Sequence, residues 1–99
     1  MKITLSPNET VDLKALHGAK DGDVIVVEWA ETVKDTNALG YLGNTADSST
    51  TYDKYDGVVV HPDPQSVNYT RGTKVSSSNN VFLYNSDRNI TLNLISYLL

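Results

Sequence analysis

The chain has 99 residues, no cysteine, and 8 Lys and Arg residues against 12 Asp and Glu residues, which gives a formal net charge of −4. This length fits a single domain spanning 1–99, and the absence of cysteine excludes a disulfide or a thiolate metal site. The acidic balance argues against a nucleic-acid partner, because phosphate backbones are bound by clustered cations.

The N-terminal segment MKITLSPNE holds one lysine and lacks the apolar run of a signal peptide. The longest apolar runs, VIVV and ISYLL, are too short to cross a bilayer. We therefore expect synthesis in the cytoplasm and no membrane partner.

A short strand is predicted over KITL, and the segment after it has two interpretations. Ser6, Pro7 and Glu9 have the spacing of a capping box, which predicts a short helix over 9–17 that ends at Gly18. The same segment also alternates as a strand would, with Val11, Leu13 and Ala15 on one face. We favour the extended segment and leave the helix as the alternative.

Two further strands are predicted in the middle of the chain. VIVVEWA, residues 24–30, has apolar residues on both faces and fits a central strand, with Ile25, Val27 and Trp29 on one side. ALGYLG, residues 38–43, fits a short strand or turn because it contains two glycines. A long polar stretch, 44–57, separates it from the strand VVVH, which two prolines follow.

The C-terminal third contains the clearest strand pattern. VNYT predicts a further strand, and RGTKVSSSNN a turn with a loop or edge strand. VFLYN and ITLNLISYL flank SDRN, which predicts a C-terminal hairpin. About seven short strands with frequent turns predict an all-β fold, a small antiparallel β-sandwich or jelly-roll-like domain.

Candidate reaction centres are few. The only histidines are His17 and His61, and no cysteine or G-x-S-x-G elbow supplies a nucleophile, so we expect no enzyme activity and no cofactor. Asp47, Asp53 and Asp56 lie in the polar stretch without EF-hand spacing. Whether they hold calcium stays open, and no metal site is predicted.

The aromatic residues favour an interaction surface. The chain has 6 tyrosines against 1 phenylalanine, and tyrosine is enriched at interfaces. Trp29, Phe82 and Tyr84 lie inside apolar strands and are expected in the core. The apolar C-terminus is expected to need a cover, such as a second copy of the chain. The predicted interaction surface consists of Tyr41, Tyr52, Tyr55, Tyr69, Tyr97, Leu98 and Leu99.

The order of these features resembles that of small bacteriophage virion β-sandwich proteins, in particular capsid decoration (cement) proteins. The runs that carry the resemblance are TVDLKALHGAKDGDVIVVEW and the later segment from GVVVHPDPQSVNYT to VFLYNSDRNITLNL. The resemblance implies a non-enzymatic protein on the outer capsid surface, which binds the major capsid protein and stabilises the assembled capsid by bridging subunits. It also implies a homo-oligomer, commonly a trimer, and assigns no site residues.

Two alternatives come from the residues themselves. The first is a carbohydrate-binding or adhesion module that uses Tyr52, Tyr55 and Tyr69, with or without calcium. The second is a minimal enzyme centred on His61.

Overall fold

A computed structural model describes residues 1–34, 36–65 and 71–99. These residues form eight strands and one short helix. The elements are β1 (Lys2–Leu5), β2 (Thr10–Asp12), α1 (Leu13–His17), β3 (Val24–Trp29), β4 (Leu39–Gly43), β5 (Val58–Val60), β6 (Arg71–Val75), β7 (Val81–Asn85) and β8 (Leu92–Leu98).

The strands form two four-stranded antiparallel sheets, with the orders β1-β8-β3-β6 and β2-β7-β4-β5. The pairs β1–β8, β2–β7, β3–β6 and β4–β5 nest within one another along the chain. A long hairpin rolled into two sheets has this pairing, which is the topology of an eight-stranded jelly roll. The predicted fold class, a small all-β sandwich of jelly-roll type, is confirmed.

The predicted C-terminal hairpin is wrong. β7 pairs with β2 and β4, whereas β8 pairs with β1 and β3, so these two strands lie in opposite sheets. The segment 86–91 therefore crosses between the sheets, and Tyr84 donates a hydrogen bond from its hydroxyl to the Ile90 carbonyl, 3.0 Å away. The alternation predicted along β3 and β8 is present, but alternation does not determine the partner strand.

The core lies between the two sheets and is built by alternate residues. Ile25, Val27 and Trp29 point inward from β3, as predicted, and Phe82 and Tyr84 face them from β7. The Trp29 ring meets both aromatic rings edge to face, with centroids 5.4 and 5.2 Å away. Its indole N–H donates to the Val60 carbonyl at 3.1 Å, so the buried polar atom of the ring is satisfied.

Residues 9–17 combine the two predicted alternatives. Thr10–Asp12 is strand, and Leu13–His17 is a single helical turn that begins after the N-cap Asp12 and ends at Gly18 in a left-handed conformation. The capping-box bond from the Ser6 N–H to Glu9 Oε1 is present at 2.8 Å, but it closes a turn ahead of β2 and caps no helix.

Of the remaining predicted strands, 71–75 is an edge strand, and VNYT lies outside the described residues. Within residues 1–34, 36–65 and 71–99, no helix has the length and apolar character that crossing a membrane requires.

Candidate interaction surfaces

The polar stretch 44–57 packs on the outer face of the β2-β7-β4-β5 sheet. Tyr41, Val59 and Leu83 point outward from that sheet and form a second apolar cluster. Ala46 is buried in the cluster, and Tyr55 packs against it. The stretch is therefore a folded cover, which we call the covering loop, and it removes apolar sheet surface from water.

Asp56 closes the base of the covering loop. Its carboxylate accepts the Asn44 N–H at 2.9 Å through Oδ1 and the Thr45 hydroxyl at 3.2 Å through Oδ2. Asp56 is exposed, and although some desolvation by itself raises the pKa of its carboxyl, these hydrogen bonds and the charge of Lys74 lower that pKa below its ordinary value of 3.8.

The strands that carry the loop base come unusually close together at a glycine. A Cβ atom on Gly57 would lie 1.8 Å from the Leu42 carbonyl oxygen, a distance that no side chain tolerates. Position 57 therefore requires glycine because the two backbone segments approach closely, and not because of a positive φ.

The other acids of the covering loop also serve local turns. Asp47 Oδ1 accepts the Ser49 N–H at 2.9 Å, and Asp53 Oδ1 accepts the Thr51 hydroxyl at 2.7 Å. The hydrogen bonds from these partners lower the pKa of both carboxyls. Among the described residues, no three acids or histidines are grouped closely enough to hold a metal ion, so Asp47, Asp53 and Asp56 do not form the suggested calcium site.

The loop tyrosines form a stack that starts in the sheet. Tyr55 lies between Tyr41 and Tyr52, with ring centroids 6.0 and 5.6 Å away. Tyr41 is buried beneath the loop, and burial raises the pKa of its hydroxyl. Tyr52 at the other end is 61% exposed. Tyr41 is thus a support for the stack, contrary to its predicted place on the surface.

The outer face of the β1-β8-β3-β6 sheet carries a row of apolar residues. Val24 pairs with Val75 on one side, and on the other its carbonyl accepts the Leu99 N–H at 3.0 Å. Val75 and Leu99 are 58% and 81% exposed. The next outward row contains Thr73, Val26 and Tyr97. We call these two rows the open face.

The open face changes from apolar to charged along the strands. Arg71 donates a hydrogen bond to the Tyr97 hydroxyl at 2.8 Å, and the two side chains span β3 above Val26, which is buried although it points outward. Beyond this bridge, Arg71, Glu28, Ile95 and Lys2 align across the four strands. The face therefore offers an apolar contact area with a mixed-charge border.

The predicted interaction residues do not form one surface. Tyr97 and Leu99 lie on the open face, whereas Leu98 pairs with the inward-pointing Ile25 and lies on the other side of β8. Tyr52 and Tyr55 lie on the covering loop, across the sandwich from the open face. Tyr69 falls outside the described residues.

The two histidines lie at the ends of different elements and in different environments. His61 follows β5, and partial burial lowers its pKa while the charge of Asp63 opposes the shift. His17, at the end of α1, places Nε2 2.7 Å from the hydroxyl oxygen of Ser96, which is fully buried. Sequence reasoning missed this pair, although Ser96 interrupts the apolar inward row Leu92, Leu94, Ser96 and Leu98.

No protein-family model, curated protein or solved structure matches the chain. The function is therefore inferred from the fold and from its two outer faces.

Proposed function

We propose that this chain is a non-enzymatic virion structural protein, a capsid decoration protein that binds the outer surface of an assembled capsid and bridges neighbouring subunits. The observation that carries the proposal is the difference between the two outer faces. One face is covered by the chain's own loop, and the other exposes Val75 and Leu99 on either side of the half-buried Val24. Val75 and Leu99 are exposed apolar side chains that flank Val24, and a partner surface would remove them from water.

The jelly-roll topology agrees with this proposal, because viral capsid proteins commonly use it. Lectins use the same topology, so the fold by itself does not separate the two functions. The two functions differ in the surface that they would use. A capsid contact would use the open face, and a sugar contact would use the exposed ring of Tyr52.

The size of the open face favours a protein that bridges several subunits. Three strands and two rows of side chains cover about 200 Å², given a strand spacing of about 4.8 Å and a same-face repeat of about 6.7 Å. Because Val26 is already buried and Thr73 is polar, burying the apolar part of that area contributes less than about 5 kcal/mol at about 25 cal/mol per Å², before the costs of association. One such contact is weak, and simultaneous contacts with a repeating lattice raise the apparent affinity.

Oligomerisation would supply those simultaneous contacts. We propose a homo-oligomer, with a trimer as the expected state, in which each copy presents its open face to the major capsid protein. Light scattering coupled to size exclusion measures the mass directly. A monomer at all concentrations would remove the oligomer from the proposal, and binding would then require contact between each copy and two capsid subunits.

The test of the function uses purified virus particles from the source of the gene. Particles banded by density should contain this chain at a fixed ratio to the major capsid protein. Particles that lack it should disrupt at a lower temperature, and adding purified chain should restore the loss. Absence of the chain from such particles would refute the proposal.

A second function is favoured by one specific observation, the exposed ring of Tyr52 held edge to face by Tyr55. A rigid exposed aromatic ring stacks on the apolar face of a sugar, so the covering loop would act as a carbohydrate-binding or adhesion surface. A glycan array probed with the chain and with Tyr52→Ala tests it. Binding that depends on Tyr52 would favour this function over capsid decoration.

A further inference from the structure

The inward-pointing row of β8 contains a polar residue, Ser96, whose hydroxyl contacts a side chain of α1. Ser96 is fully buried, and its hydroxyl lies 2.7 Å from Nε2 of His17. Within residues 1–34, 36–65 and 71–99, the imidazole is the only recorded hydrogen-bond partner of that hydroxyl. Because a buried hydroxyl without a partner is destabilising, this contact fixes α1 against the sandwich.

The helix that carries His17 closes one end of the core. α1 contacts β2, β7 and β8, and Leu13 at its start is fully buried. It is a single turn, held by the Asp12 carboxylate, which accepts the Ala15 N–H at 3.1 Å, and by Gly18 at its C-terminus. A turn this short has little stability of its own, so its position depends on its tertiary contacts.

The surroundings of His17 disfavour a positive charge. The amino group of Met1 donates to the Ser96 carbonyl at 2.6 Å, and burial together with this amino group lowers the pKa of the ring. On α1 itself, Lys14 is paired with Asp21.

Among the described residues, the titratable groups of the other elements packed against α1 are bound to partners other than His17. The titratable residue of β2 is Asp12, which caps the helix, and that of β7 is Tyr84, which bonds the Ile90 carbonyl. On β8, Tyr97 points to the open face and bonds Arg71.

Protonation also removes an acceptor. The neutral tautomer that carries its hydrogen on Nδ1 leaves Nε2 free to accept the Ser96 hydroxyl hydrogen, whereas both nitrogens of the charged ring are donors. Ser96 would then have to accept, and its own hydrogen would have no acceptor among the described residues in a fully buried site. We propose that the His17–Ser96 contact is a pH-sensitive latch, in which neutral His17 holds α1 closed over the end of the sandwich and protonation releases it.

The direction of the pH dependence follows from linkage. The closed state disfavours protonation of His17. Neutral His17 therefore stabilises the closed state fully above its ordinary pKa of 6.5, and this stabilisation is lost as the pH falls below that value. If the pKa of His17 in the closed state lies one unit below 6.5, the ratio of closed to open α1 falls about tenfold between neutral pH and a pH below both values.

The test measures the ring and the helix separately by NMR. Histidine ring labelling gives the His17 titration midpoint, which should lie below 6.5. Hydrogen exchange of the Gly18 and Ala19 amides, which bond the carbonyls of Ala15 and Lys14, reports closure of α1. Corrected for intrinsic rates, their protection should fall between pH 7.5 and pH 5, while the Ala30 amide, which bonds Asn93, keeps its protection.

Two matched variants show which histidine causes the pH-dependent loss of amide protection. His17→Gln cannot titrate, so its Gly18 and Ala19 protection should be equal at both pH values, whereas His61→Gln should lose protection as the parent chain does. A loss that persists in His17→Gln overturns the latch, as does an unchanged protection in the parent chain. If His17→Gln does not fold, a parent midpoint at or above 6.5 overturns the latch on its own.

Discussion

Removing the Asp56 carboxylate should open the covering loop without unfolding the sandwich. In Asp56→Ala, the Asn44 N–H and the Thr45 hydroxyl lose their acceptor at the loop base. Hydrogen bonds to a charged acceptor contribute about 1.5–3 kcal/mol each when buried, and exposure of Asp56 reduces this. We therefore expect the loop to open more easily by about 1–2 kcal/mol, which is a factor of about 5–30 in the open population.

Limited trypsin digestion measures that population, because Lys54 lies within the covering loop and its N–H bonds the Thr51 carbonyl at 2.9 Å. Cleavage that requires local opening follows the open fraction, so the bond after Lys54 should be cut about 5–30 times faster in Asp56→Ala. Mass spectrometry separates this cut from the others.

The matched control is Asp53→Ala, which loses only a hydrogen bond with Thr51 near the loop tip. Its cleavage rate should stay close to that of the parent chain. Equal rates in Asp56→Ala and Asp53→Ala, with both proteins folded, would refute the role of Asp56 as the closure of the loop.

Three further substitutions test the core and the exposed tyrosine. Gly40→Ala places a Cβ 2.2 Å from Phe82 Cζ and should lower the free energy of unfolding in urea by about 1–3 kcal/mol, whereas an unchanged midpoint would contradict the packing. Trp29→Phe removes the donor to the Val60 carbonyl and should cost at least about 1–3 kcal/mol in the same assay; a neutral result would mean that the carbonyl needs no partner. Tyr52→Ala should leave the melting temperature within error because the ring is 61% exposed, and a marked decrease would show that the tyrosine stack supports the loop.

The fold class was accessible from the sequence because strand alternation is local. The pattern of Ile25, Val27 and Trp29 identified the inward face of β3, and the apolar run around Phe82 and Tyr84 identified the core of β7. Strand pairing was less accessible, because the turn-like segment between the last two strands has the same composition whether it closes a hairpin or crosses between sheets.

The surfaces were harder to predict for a related reason. Residues 44–57 are polar in composition, yet Ala46 and Tyr55 suffice to anchor them on the outer face of a sheet. Tyr41 was assigned to the surface because it adjoins this stretch, and only the fold shows that the loop returns over it. Ser96 is a polar residue in an otherwise apolar inward row, and such a position indicates a buried hydrogen-bond partner, which in the structure is His17.

One binding measurement tests whether the chain binds the capsid through the open face or through the covering loop. Virus particles stripped of this chain are incubated with purified parent protein, with the double variant Val75→Lys and Leu99→Lys, and with Tyr52→Ala, and the bound fraction is measured by co-sedimentation. The proposal predicts saturable binding by the parent and by Tyr52→Ala, and loss of binding in the double variant, whose melting temperature should be unchanged since both residues are exposed. Full binding by the folded double variant would contradict the claim that the open face contacts the capsid.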